Sequence, residues 1–251
     1  MILKEGNYCK RLDLGFILDN EDILDLHNHT TWSDGANSAL EIIENAIKSG
    51  IGVIGLTDHL ITYPDRLLDL DSYIKELLGL KEKYKGKIHV LLGLEISPFP
   101  FPKIFQDLEY EKINKLDYVL IEDLENTSKS IDLEALGRYI NNFECLVGLA
   151  HTDLFKWCRN FDSLSILCSY ISHKRMFWEI NANSGHRFFD EVIYNDIGSV
   201  SLLELLHKYQ IPVSAGSDTH SLDCYEYGRL VQANKVAGSF KYFTLIDKIK
   251  E

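Results

Sequence analysis

The sequence predicts a single-domain α/β barrel of seven βα units, and three observations support this fold. The chain has 251 residues, an ordinary length for one barrel domain. Short apolar runs alternate with longer amphipathic stretches, as in repeated βα units around a parallel sheet. The runs also carry histidine or acidic residues at or near their C-terminal ends, where the active sites of such barrels lie.

The seven apolar runs are the predicted strands, and they cover residues 22–29, 52–59, 89–97, 117–125, 145–153, 176–184 and 211–220. Residues 1–21 precede the first run, and we expect them to form an N-terminal extension. No repeat, low-complexity tract or linker divides residues 22–251, so we expect one barrel domain there.

End signals predict two of the helices between these runs. Ser38 and Glu41 have the spacing of a capping box, and Gly50 follows as a stop signal. A second helix is predicted from Asp71 to about Tyr84. Weaker helical patterns cover residues 104–115, 132–142 and 199–209.

The composition is that of a globular protein and disfavours several functions. Thirty-eight acidic against 26 basic residues give a net charge of -12, which opposes tight binding to long nucleic acid. No apolar run approaches the roughly 20 residues that span a bilayer, and the N-terminus lacks the apolar core of a secretion signal. The five cysteines include no C-x-x-C pair, so we expect reduced thiols and a cytoplasmic location.

The side chains at the run ends predict a metal centre. Imidazoles and carboxylates bind transition metals, and the C-terminal ends of barrel strands meet at one face. Residues two apart on a strand share a face, so His27 and His29 converge, as do Asp218 and His220 if the strand stays extended. The ligands predicted from the run ends are His27, His29, His59, Glu95, His151, Asp218 and His220.

Other polar residues near the run ends receive supporting roles. Asp58 and His59 are neighbours and should point in opposite directions, so we expect Asp58 to orient a ring or cap the loop. We expect Glu179 likewise to support the ligands by a hydrogen bond, without binding a metal itself. His186 follows the sixth run directly and is a candidate for the pocket rim, whereas His89, His173 and His207 do not end a run.

Several motifs resemble the polymerase and histidinol phosphatase (PHP) family over about residues 23–235. The opening stretches are H-N-H-T-T-W-S-D-G at 27–35 and G-L-T-D-H at 55–59. The later motifs keep the family's order: L-G-L-E at 92–95, G-L-A-H at 148–151, E-I-N-A-N at 179–183 and G-S-D-T-H at 216–220. The resemblance implies a distorted TIM-like (β/α)7 barrel, which agrees with the seven runs counted above.

The resemblance also divides the ligands among three metal positions, the first two sharing Glu95. The first position has His27, His29, Glu95 and Asp218, the second has Glu95 and His151, and the third has Asp34, His59 and His220. The family usually has another histidine just after the fourth strand, but D-Y-V-L-I-E-D-L-E-N-T-S contains none. Glu122 or Asp123 is a candidate replacement, although strand alternation allows only one of them to face inward, and a solvated loop acid is the equal alternative.

A mixed set of imidazoles and carboxylates suits two or three Zn, Mn or Fe ions. Such ions can hold a hydroxide at neutral pH and bind the oxygens of a phosphoryl group, so no protein nucleophile is needed. Through the ions, catalytic roles are assigned to Glu95, His151, Asp218 and His220. Arg187 and Arg229 are candidates for binding the phosphate, with surface charges as the equal alternative.

We therefore expect a metal-dependent phosphoesterase acting on a small phosphomonoester, similar to histidinol phosphatase, by attack of a metal-bound hydroxide. The alternatives are a nuclease or nucleotide phosphodiesterase, a metal-dependent amide or ring hydrolase, and a non-catalytic binding module that the metals stabilise. The oligomeric state is left open.

Overall fold

The computed structural model describes residues 23–62, 66–98, 104–126, 132–161, 163–194 and 197–239. The predicted extension over residues 1–21 lies outside them. The strands are β1 (Ile23–Asp25), β2 (Ile51–Leu56), β3 (Ile61–Thr62), β4 (Arg66–Leu67), β5 (His89–Leu92), β6 (Glu95–Ile96), β7 (Tyr118–Ile121), β8 (Leu146–Leu149), β9 (Phe177–Asn181) and β10 (Val213–Gly216). Each of the seven apolar runs contains strand residues, and the run at 89–97 contains both β5 and β6.

Parallel pairing joins these strands into two sheets. One sheet has the order β1-β2-β5 and the other has the order β10-β9-β8-β7-β6, while β3 and β4 form a separate antiparallel pair. Backbone hydrogen bonds also connect the two sheets, from Leu26 N–H to Ala215 O (2.9 Å) and from Asp117 N–H to Leu92 O (2.8 Å). The predicted α/β fold with parallel, barrel-like strands is therefore confirmed.

The helices lie between the strands in sequence. They are α1 (Ala39–Lys48), α2 (Leu70–Lys83), α3 (Ile104–Asp107), α4 (Tyr110–Ile113), α5 (Leu133–Ile140), α6 (Leu154–Cys158), α7 (Leu164–His173), α8 (Phe188–Ile193), α9 (Ile197–Lys208) and α10 (Tyr227–Ser239), with a 3-10 turn at Leu222–Cys224. Among the described helices, none is long and apolar enough to cross a membrane.

The predicted helix ends follow from side-chain caps. Ser38 and Glu41 form the complete capping box of α1, and Gly50 adopts a φ of +73° after the helix. Helix α2 starts before the predicted Asp71, because the Asp69 side chain accepts the Ser72 N–H (3.2 Å) and caps it. The stretch at 104–115 contains two short helices where one was predicted.

Alternate residues of the strands supply two apolar clusters. In β7, Tyr118 and Leu120 belong to a small cluster, whereas Val119 and Ile121 belong to the large one. The large cluster also takes residues from the helices and is therefore the layer between strands and helices. The small cluster consists of apolar side chains, as expected for the inside of a barrel. The polar residues lie beyond it, at the C-terminal ends of the strands.

Candidate metal centre

The carboxylate of Glu95, in β6, lies among four imidazoles. Its Oε2 is 3.2 Å from His27 Nε2, 3.2 Å from His29 Nε2 and 3.3 Å from His59 Nδ1. Its Oε1 is 3.2 Å from His151 Nε2. Because these histidines follow β1, β2 and β8, residues distant in sequence meet at one point.

The carboxylate of Asp34 lies close to a second set of imidazoles, nearer the surface. Its Oδ2 is 3.3 Å from His220 Nε2 and 3.7 Å from His59 Nε2, and its Oδ1 is 3.7 Å from His29 Nδ1. The ring of His29 lies between those of His59 and His220, at 4.4 and 4.2 Å. Asp34 and His220 keep 45% and 41% of their side chains exposed, so this side of the cluster faces solvent.

The extended conformation does not persist through Asp218, whose φ is +53°. Its Oδ1 nevertheless reaches within 3.4 Å of His29 Nε2 and 3.6 Å of His27 Nε2. His151 also has a positive φ, +33°. Such backbone conformations cost of order 1–3 kcal/mol and cluster at functional sites.

Glu122 is the fourth-strand acid that reaches the cluster. Its Oε1 lies 3.7 Å from His59 Nδ1, its Oε2 lies 3.7 Å from His151 Nε2, and its side chain is 16% exposed. Asp123 has a φ of +61°, and its Oδ2 accepts a hydrogen bond from the Ser97 hydroxyl (3.2 Å). Of these two neighbours, the structure therefore brings Glu122 to the imidazoles.

Two buried carboxylates hold the ligand-bearing segments. Asp58 accepts from Thr30 N–H (2.8 Å) and from the Ser33 hydroxyl (2.7 Å), which fixes the turn leading to Asp34. Glu179 Oε1 lies 2.8 Å from His27 Nδ1, and its Oε2 accepts the His151 N–H (2.7 Å). A carboxylate only accepts, so His27 Nδ1 donates to Glu179 and its Nε2 is directed at Glu95.

The two candidate phosphate-binding arginines differ in their contacts. Arg229 donates from Nη1 to Asp190 Oδ1 (2.6 Å) and from Nε to Ala182 O (2.8 Å), and its side chain is only 13% exposed. Arg187 precedes α8 and is exposed. The structure leaves Arg187 the more accessible of the two cations.

Two residues close to the cluster were not included among the predicted ligands and supports. His186 has its Nε2 3.1 Å from Asp218 Oδ2 and keeps 35% of its side chain exposed, which agrees with the rim position expected for it. Asp25 is buried and accepts hydrogen bonds from Ser217 and Tyr225. The spacing Asp25, His27, His29 along one strand was the signal that could have identified Asp25.

The donor atoms fit divalent cations. Both oxygens of Glu95 and Nδ1 of His29 are buried, and within the described residues no group meets them in hydrogen-bond geometry. Orphaned buried polar atoms are rare because they are costly, and a bound cation would satisfy these. Four ligand groups have donor atoms within 4.8 Å of one another: His29, Asp34, His59 and His220; His27, His29 and Glu95; His59, Glu95 and Glu122; His151, His186 and Asp218.

The charges of the cluster are strongly coupled. Although burial opposes it, the carboxylates of Glu179, Glu95 and Asp218 hold the pKa of His27 well above its usual range. Against the same burial, nearby carboxylates raise the pKa of His151 to about 9. Burial, aided by the charge of Glu95, raises the pKa of Glu122 to about 8. A cation must displace these protons, so its affinity should increase with pH.

The fold and the cluster define an α/β protein whose strand ends can hold several divalent metal ions. The model of the PHP domain family matches residues 25–210, more than half of the chain. The chain belongs to this family.

Curated relatives match parts of the chain. The DNA polymerase/3'-5' exonuclease PolX of Bacillus subtilis is 29% identical over an alignment of 129 residues, and the match covers 44% of this chain and 22% of that protein. The histidinol-phosphatase of Bacillus subtilis is 34% identical over an alignment of 87 residues, and the match covers 29% of this chain and 32% of that protein. Each match thus spans a third or less of the relative.

A solved structure shares the fold over most of its length. It is histidinol phosphate phosphatase from Lactococcus lactis, complexed with Zn, L-histidinol and phosphate, with a TM-score of 0.60 and 19% identity. The alignment covers 87% of this chain and 94% of that one. A likeness at this level of identity shows the fold.

Proposed function

We propose that this protein is a metal-dependent phosphoesterase that releases phosphate from a small phosphomonoester, of the histidinol-phosphatase kind. The observation that carries the proposal is Glu95, a buried carboxylate with four imidazole nitrogens within 3.3 Å and no hydrogen-bond partner among the described residues. Such a centre fits divalent cations, and clustered cations suit phosphate esters. The small phosphorylated partner and the cytoplasmic location expected from the sequence belong to the same proposal.

The proposed ligands follow the structural groups. Glu95 is shared between the group of His27 and His29 and the group of His59 and Glu122. Asp34 and His220 complete the outer group, His151 lies beside Glu95 Oε1, and Asp218 lies beside His27 and His29. When bound, Zn, Mn or Fe ions would supply Lewis-acid polarisation of the phosphoryl oxygens and a source of nucleophile at neutral pH.

Side chains of the protein would orient the ligands and bind the substrate phosphate. Glu179 keeps His27 Nε2 directed at Glu95, and Asp58 holds the turn that carries Asp34. Arg187 is accessible enough to form a bidentate contact with phosphate oxygens. The catalytic roles of Glu95, His151, Asp218 and His220 are to hold the ions in place around the substrate.

One observation favours a second candidate, a nuclease or nucleotide phosphodiesterase. The match to the Bacillus polymerase and exonuclease is the longer of the two curated matches. The net charge of -12 opposes the binding of a long polyanion, so short oligonucleotides are the substrates to test.

The proposal is tested by measuring phosphate release from a panel of phosphorylated metabolites, histidinol phosphate among them. A short labelled DNA strand is incubated in parallel, and the protein is loaded with Mn or Zn. We expect release from at least one small monoester and slower cleavage of DNA. His27→Ala should abolish release, whereas His173→Ala, an exposed histidine at the end of α7, should leave it unchanged. Faster DNA cleavage would favour the nuclease, and inactivity on every ester would overturn the proposal.

A further inference from the structure

His186 contacts the cluster from the turn after β9. Its Nε2 lies 3.1 Å from Asp218 Oδ2, and its ring stacks on that of His151 with centroids 4.4 Å apart and planes 10° from parallel. The side chain is 35% exposed. The imidazole is therefore at the mouth of the centre, beside two of its proposed ligands.

The turn that carries His186 is fixed by its own hydrogen bonds. Asn183 Oδ1 accepts the Gly185 N–H (2.8 Å), and Asn183 O accepts the His186 N–H (3.0 Å). The Ser184 N–H donates to Glu226 Oε2 (2.7 Å), which ties the turn to the residue just before α10. Side chains held in this way are preorganised for binding.

The two oxygens of Asp218 face different imidazoles. Oδ1 faces His27 and His29, at 3.6 and 3.4 Å, whereas Oδ2 faces His186. His151, His186 and Asp218 each offer a ligand atom, and these atoms lie within 4.8 Å of one another. A carboxylate whose oxygens face two ligand sets can offer a donor atom to each set.

We propose that His186 is a metal ligand, which binds one divalent cation together with His151 and Asp218. The proposal rests on the metal dependence proposed above. It adds an imidazole from the turn after β9 to a chain that lacks the histidine usual after the fourth strand. Glu122 supplies a carboxylate near both His59 and His151.

The test is a zinc and manganese titration of the metal-free protein, with bound metal counted by elemental analysis. In His186→Asn we expect one equivalent to bind at least about tenfold more weakly, while the remaining equivalents keep their affinity. The matched control, His173→Asn, should bind like the wild type. Unchanged affinities in His186→Asn would overturn the proposal.

A measurement on the wild-type chain covers the case in which His186→Asn fails to fold. Modification of histidines by diethylpyrocarbonate is mapped by mass spectrometry with and without Zn. We expect Zn to protect His186 but not the exposed His173, and equal modification of His186 in both conditions would overturn the proposal. If the wild type binds no metal, the proposed function fails as well. If it binds metal and hydrolyses esters while His186 is unaffected, only this inference fails.

Discussion

The carboxylate of Asp25 accepts two hydrogen bonds from Ser217, one from the backbone N–H and one from the hydroxyl, each 2.8 Å long. The Tyr225 hydroxyl donates a third (2.9 Å). Asp25 lies two residues before His27, and Ser217 lies immediately before Asp218. The contact between Asp25 and Ser217 therefore holds His27 and Asp218 in a fixed relative position, although these two proposed ligands are far apart in sequence.

Asp25→Asn should change how stability depends on pH. Burial raises the pKa of Asp25 from 3.8 to about 6. Because the folded-state pKa is the higher one, the stability from protonating Asp25 is fully present below about pH 4 and is lost as the pH rises through about 6. Asparagine does not titrate, so the free energy of unfolding lost on substitution should be about 1.4 kcal/mol larger near pH 5 than near pH 7.5.

The measurement is urea denaturation of the wild type and Asp25→Asn in the presence of a chelator, at both pH values. Comparing the two proteins cancels the titration of the groups that they share. An equal loss at both pH values would contradict the assignment of a raised pKa to Asp25.

Gly216→Ala should disrupt the centre because there is no room for a Cβ atom. That atom would lie 2.2 Å from Glu179 Oε1 and 2.4 Å from His27 Cβ. We expect a loss of about 1–3 kcal/mol of stability together with weaker metal binding. Gly79→Ala is the control, since a Cβ there meets nothing within 4 Å, and alanine in a helix should stabilise by about 0.5–1 kcal/mol. Thermal unfolding that ranks the two variants the other way would refute this explanation.

Glu179→Gln should weaken metal binding without changing a proposed ligand. The amide keeps the volume, but its NH2 group cannot accept a hydrogen bond, so it cannot serve both His27 Nδ1 and the His151 N–H. Loss of such support typically costs about 10–100-fold in metal affinity. Calorimetric titration with Zn checks this, and an affinity equal to that of the wild type would show that Glu179 does not orient His27.

Glu122→Gln should weaken cation binding, whereas the neighbouring Asp123→Asn should not. Glu122 faces His59 and His151, while Asp123 accepts from Ser97 and has a positive φ that asparagine tolerates. The number of Mn ions retained after gel filtration distinguishes the two variants. Equal retention by both variants would leave Glu122 without a role as a ligand.

The sequence predicted the strands and the meeting of His27, His29, His59 and Glu95, because strand periodicity and parallel order place run ends on one face. It could not choose between Glu122 and Asp123. That choice depends on the backbone turning to a φ of +61° at Asp123, which no local pattern indicates.

His186 was not predicted as a ligand, also because its position depends on the conformation of a turn. It lies beyond the end of β9 rather than on it, and its approach to Asp218 depends on the turn held by Asn183 and Glu226. Such turns join residues distant in sequence, so periodicity does not predict them. Arg229 was likewise a candidate for binding the phosphate, but its guanidinium donates to Asp190, a contact between residues distant in sequence.

Anomalous diffraction from crystals of the Mn- or Zn-loaded protein would locate the bound ions. We expect two or three anomalous peaks among the side chains around Glu95, with one peak next to Glu95 itself. A fully loaded crystal with no peak in contact with Glu95, or with its ions bound only elsewhere, would show that Glu95 is not the centre of a metal site.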